Sequence, residues 1–137
     1  MSRILALDHG TKRIGVAISD EMKMIAQPME FIPAESMPAV VRRLQEILAE
    51  KPSELILVGL PRNMDGTYGP AAENVRKFVE ELRQVVTIPV RTWDERLTST
   101  QANRVLVQGK VRREQRKEKV DAVAAAILLQ SYLDAQG

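Results

Sequence analysis

The run Leu55–Leu60 reads Leu-Ile-Leu-Val-Gly-Leu, with no polar side chain alternating through it. A strand with one wet face alternates apolar and polar residues, so an unbroken apolar run belongs to a strand covered on both faces. The chain must therefore build a layered fold, with helices on both sides of a sheet. The flanking segments supply the other parts. Ile4–Asp8 and Ile14–Ser19 are short apolar runs joined by His9-Gly10-Thr11-Lys12-Arg13, short enough for a hairpin. A third strand over Ala26–Ile32 contains Pro28, which lacks a ladder donor and sends it to a sheet edge.

Helical spacing of Val40, Val41, Leu44, Ile47 and Leu48 predicts a helix from Ser36 to Glu50, stopped before Pro52. The turn-rich segment from Pro61 to Pro70 is long enough to carry function. A second helix over Ala71–Val86 uses Val75, Phe78, Val79 and Leu82, and a fifth strand covers Ile88–Asp94. Thr98 can cap a third helix bearing Ala102, Val105 and Leu106 and ending at Gly109. The last helix begins in a basic run and ends near Leu133. The expected order is β-β-β-α-β-α-β-α-α, an α/β fold with a five-stranded mixed sheet.

With 137 residues and 45% hydrophobic content, residues 1–137 are expected to form one domain. Zero cysteines exclude disulfides and thiolate metal sites. The apolar run behind Met1-Ser2-Arg3 is too brief for a signal peptide or membrane span, which makes a cytoplasmic protein the expectation. The net charge of +2 is unevenly spread. Residues 110–119 hold six basic residues (Lys110, Arg112, Arg113, Arg116, Lys117, Lys119) against Glu114 and Glu118, leaving the rest of the chain net acidic. Concentrated positive charge is the footprint of a polyanion contact.

Three acids stand where the chain otherwise invests in burial: Asp8 closing the first strand, Glu95 closing the fifth, and Asp121 on the edge of the last helix's apolar stripe. An unpartnered carboxylate at a buried strand end is costly. Three that converge also repel, at about 4 kcal/mol per pair ~4 Å apart in a medium of effective dielectric near 20. A divalent cation answers both problems, and Mg²⁺ favours carboxylate oxygen and water. Asp94 competes with Glu95 for the role. Strand alternation sends the two to opposite faces, and spacing does not choose between them. Gly10 and Gly15 let the hairpin backbone approach a ligand, with Thr11, Lys12 and Arg13 as phosphate donors. By the same alternation His9 turns away from Asp8 and reads as structural, and Trp93 reads as core. No Ser-His-Asp or Cys-His set is available for acyl transfer.

These residues together resemble the YqgF/RuvX family of the ribonuclease H-like superfamily. The likeness runs nearly end to end and rests on four ordered motifs. They are Leu7-Asp8-His9-Gly10-Thr11-Lys12-Arg13-Ile14-Gly15-Val16-Ala17; Val58-Gly59-Leu60-Pro61 with Gly66; Asp94-Glu95-Arg96-Leu97-Thr98-Ser99; and Lys119-Val120-Asp121 followed by Ala124-Ala125 and Leu128. His9 fills a slot the family more often gives to a non-ionisable residue. The resemblance implies a ribonuclease H-like fold and a cytoplasmic nuclease that processes the 5′ end of pre-16S rRNA. Members are also described as candidate Holliday junction resolvases.

It further implies Asp8, Glu95 and Asp121 as the catalytic, metal-binding acids, so Glu95 is preferred over Asp94 by resemblance. Two Mg²⁺ (or Mn²⁺) ions bridged by Asp8 would be the cofactor. Thr11, Lys12, Arg13, Arg96 and the 110–119 cations would hold nucleic acid (pre-rRNA or branched DNA), with no membrane and no organic cofactor. Two rivals come from other classes. One is a non-catalytic nucleic-acid-binding module, against which an intact acidic trio speaks. The other is an actin-like phosphotransferase, which needs two such domains around a nucleotide.

Overall fold

The central strand of the sheet is the first one. In a computed structural model describing residues 2–10, 12–61, 67–94 and 113–136, with side chains of the last segment from residue 122, β1 (Arg3–His9) lies between two partners. It pairs antiparallel with β2 (Arg13–Ser19) and parallel with β4 (Ser53–Leu60). β3 (Ala26–Pro33) adds antiparallel to β2 and β5 (Val90–Asp94) parallel to β4, giving the order β3-β2-β1-β4-β5. The mixed five-stranded sheet is the one expected from sequence. β3 occupies an edge, as Pro28 requires, and its register shifts where Val16 pairs Glu30 and Ala17 pairs Pro28, so Met29 is the extra residue of a bulge.

Among the described residues three helices cover the sheet, α1 (Met37–Glu50), α2 (Pro70–Val85) and α3 (Arg113–Gln136). Ser36 caps α1, its side-chain oxygen accepting from the Ala39 N–H, with Pro38 in the first turn. Pro70 opens α2, where its missing N–H costs nothing. Val40, Leu44 and Ile47 of α1 and Val75, Phe78, Val79 and Leu82 of α2 pack with Leu5, Leu7, Ile14, Val16, Ile56 and Val58 on one face. Ala125, Leu128, Leu129, Tyr132 and Leu133 of α3 pack with Ile4, Ala6, Ala17, Leu55 and Leu57 on the other. Residues 5 and 7 thus serve one core and residues 4 and 6 its counterpart, which is why the runs Ile4–Leu7 of β1 and Leu55–Leu60 of β4 are apolar throughout. Small residues, Ala6 and Ala17 on the sheet and Ala125 and Ala126 on the helix, let α3 lie close. The helix expected between Thr98 and Gly109 falls outside the described residues.

Candidate functional site

Asp8 is the last inward position of β1. Alternation from Ile4 and Ala6 sets it on the α3 face, half-buried. Its partner across the antiparallel ladder is Gly15. Leu7 pairs with Val58 on the parallel side, so the same register continued by one residue sets Asp8 beside Gly59. Gly59 in turn pairs with Trp93, and Gly15 with Phe31. The row across the sheet at this level is Phe31, Gly15, Asp8, Gly59, Trp93. The carboxylate is therefore flanked on both neighbouring strands by residues without side chains, which leaves room above it for a hydrated cation of the kind hard oxygen donors select.

The hairpin following Asp8 is fixed by Gly10. Its N–H donates to the Arg13 carbonyl at 2.9 Å, and a Cβ at this position would lie 2.7 Å from that oxygen. Glycine is required here for close approach. The Lys12 carbonyl accepts from the Ala34 N–H at 3.0 Å, so the exposed Lys12 side chain rides on an anchored backbone. Arg13 places its guanidinium carbon 5.1 Å from the centre of the Phe31 ring. Thr11 lies outside the described residues.

His9 takes the opposite face, as expected, with its ring centre 4.7 Å from that of Phe78 on α2. Burial lowers its pKa below the ordinary 6.5, the nearby Asp8 charge opposing that shift. A neutral imidazole held among apolar groups on the far side of the sheet is a packing element.

Asp94, the alternative to Glu95, lies among the described residues. Val90 joins the core beneath α1 and α2, whereas Trp93 packs on the α3 side, so Asp94 belongs to the face opposite Asp8. Glu95 and Arg96 lie outside the described residues, as do Lys110 and Arg112. Arg113, Arg116, Lys117, Lys119 and Asp121 belong to α3, but their side chains are outside the described set. Among the described residues no three His, Cys, Asp or Glu side chains form a metal-holding group. Asp8 is thus the one proposed ligand whose surroundings are described.

α3 is tied to both edges of the sheet. Gln130 accepts from the Ala26 N–H at 2.9 Å and donates to the Met24 carbonyl at 3.0 Å, reaching β3. The next residue, Ser131, accepts from Trp93 Nε1 at 3.3 Å on β5, and Tyr132 meets the Trp93 ring edge-on at 5.1 Å. Adjacent residues reaching opposite edges put this part of the helix over the central strands. Trp93 is thus partly buried, packed against the α3 core rather than within it. Sequence reasoning passed over Phe31, which the register alone aligns with Asp8. Its signal was the alternation of β3, hidden by the bulge at Met29.

A family model described as "RuvX: Holliday junction resolvase" matches residues 2–135. A protein of Caldanaerobacter subterraneus subsp. tengcongensis named "Putative pre-16S rRNA nuclease" is 50% identical over 135 residues, covering 98% of this chain and 97% of that one. Among solved structures, the fowlpox virus resolvase in complex with Holliday junction DNA superposes with a TM-score of 0.58 at 14% identity, covering 98% of both chains. RuvC of T. thermophilus with a Holliday junction substrate gives 0.55 at 17% identity, covering 99% of this chain and 96% of that one. These likenesses establish the ribonuclease H-like resolvase fold. The model match and the half-identical relative, both spanning nearly the whole chain, show that this protein belongs to the RuvX (YqgF) family.

Proposed function

We propose that the chain is a divalent-metal-dependent nuclease of one domain, acting in the bacterial cytoplasm on the 5′ end of pre-16S rRNA. The observation that carries this reading is Asp8, a carboxylate at the end of the central strand with a glycine on either side. Support for the substrate comes from the curated relative named as a pre-16S rRNA nuclease.

Asp8, Glu95 and Asp121 would hold the ions. β5 lies two strands from β1, roughly 10 Å, and glutamate's extra methylene suits the outer position. Alternation that gives Trp93 the α3 face would give Glu95 the same face when continued. Asp121 precedes Tyr132 by about three turns, roughly 16 Å of axis. That is comparable to the ~13 Å that β1 climbs from Ile4 to Asp8. Tyr132 and Ile4 line one cavity at the start of β1, so the first turns of α3 lead toward the level of Asp8.

Bound Mg²⁺ or Mn²⁺ would supply an activated water and offset the charge of the leaving oxygen. The protein's own part is positional. Lys12 and Arg13 fix the strand by its phosphates beside Asp8, and the cations of residues 110–119 extend that track without reading sequence.

Cleavage of a pre-16S rRNA 5′ extension tests the reading. Asp8→Asn and Glu95→Gln should abolish Mg²⁺-dependent cleavage while RNA binding persists, whereas Asp94→Asn should retain it. Undiminished cleavage by Asp8→Asn refutes the mechanism. The family description and the resolvase fold support a second substrate, the four-way DNA junction. A junction enzyme must cut two strands symmetrically and so act as a twofold dimer. Preferential cleavage of a synthetic junction over the rRNA extension would select it.

A further inference from the structure

Phe31 is 38% exposed on the edge strand. A single exposed apolar ring is ordinary, but three features set this one apart. Its neighbour Glu30 forms an ion pair with Arg43 of α1 at 2.6 Å, so Phe31 turns to the other face, the face of Asp8. It lies level with Asp8, separated by Gly15 alone, with no side chain intervening. The Arg13 guanidinium lies against its ring.

We propose that Phe31, backed by Arg13, is a stacking platform for one unpaired RNA base of the substrate, seated beside the phosphodiester that Asp8 addresses. The proposal rests on the nuclease reading and specifies how that site holds its strand. Two strand spacings separate Phe31 from Asp8, roughly 10 Å. Stacked nucleotides advance about 3.4 Å each, so the seated base lies within about three nucleotides of the scissile bond. An aromatic face accepts any base, which fits a site that positions rather than reads. Arg13 brings charge for the adjoining phosphate and a planar group that extends the ring surface.

The test uses full-length protein in EDTA, where cleavage is off. The probe is a single-stranded RNA carrying 2-aminopurine at successive positions, with a DNA strand of the same sequence in parallel. Wild-type protein should quench the probe at one position. Phe31→Leu, which keeps apolar bulk but has no π face, should lift the quenching and weaken binding roughly 5- to 150-fold. Phe31→Tyr should preserve both, and the loss factor should match on DNA because a base face is common to the two. Melting temperatures read alongside exclude misfolding as the cause. Wild-type affinity in Phe31→Leu, or no recovery in Phe31→Tyr, overturns the platform and leaves the metal-dependent nuclease standing. A wild-type protein that binds neither strand overturns both.

Discussion

Gly10→Ala places a methyl group 2.7 Å from the Arg13 carbonyl oxygen, closer than carbon and oxygen approach without a shift. The obstacle is backbone, not the tip of a flexible side chain, and it also accepts the Gly10 N–H at 2.9 Å. Forcing the two apart costs about 1–3 kcal/mol as overpacking, and weakening the hydrogen bond costs about 1 kcal/mol. Against this, alanine restricts the unfolded chain and returns about 0.4–1 kcal/mol. The steric cost wins, leaving a net loss near 2 kcal/mol, with a range of about 1–4. Unfolding entropy of about 2.1 cal/mol/K per residue converts 2 kcal/mol into a melting temperature lower by about 7 °C for a chain of this length. Calorimetry reads the shift, and urea unfolding should show a lower midpoint at unchanged slope. Because this turn carries Lys12 and Arg13 past Asp8, cleavage should also fall well below the variant's melting point. A melting temperature within about 1 °C of wild type would refute the argument, showing that the Arg13 carbonyl yields freely.

Three further outcomes follow from other residues. Ser19, the one buried polar side chain among the described residues, accepts from the Ile4 N–H and donates to the Asp20 carbonyl, both at 2.9 Å. Ser19→Ala should cost about 1–3 kcal/mol in denaturant unfolding by orphaning that buried N–H. His9 has a folded pKa below its unfolded value, so the unfolded state takes up its proton first and stability falls as pH drops below about 6.5. His9→Phe should flatten that part of the stability-against-pH curve, and an unchanged curve would assign the slope elsewhere. Neutralising the six cations of residues 110–119 should lower the salt slope of single-strand binding by up to roughly 4, at about 0.7 per phosphate contact; an unaltered slope makes that segment a solvated face.

The sequence by itself determined the five strands, the three described helices and the order in which these follow one another, because burial writes a period into the chain. Leu55–Leu60 had to be covered on both faces, and Pro28 had to be at an edge, whatever the remaining details. The sequence also placed His9 and Asp8 on opposite faces, since alternation is a local rule. It did not choose between Asp94 and Glu95, although it knew that the two diverge. The resemblance prefers Glu95, and the assignment of Val90 to one core and Trp93 to the other adds that Asp94 turns to the face opposite Asp8. Likewise, nothing local aligns Phe31, Gly15, Asp8 and Gly59. They come from four strands, and their meeting is a matter of ladder register. Period is a property of neighbours along the chain and can be read from it. Register is settled by which side chains share a core, and that is decided only when the layers close.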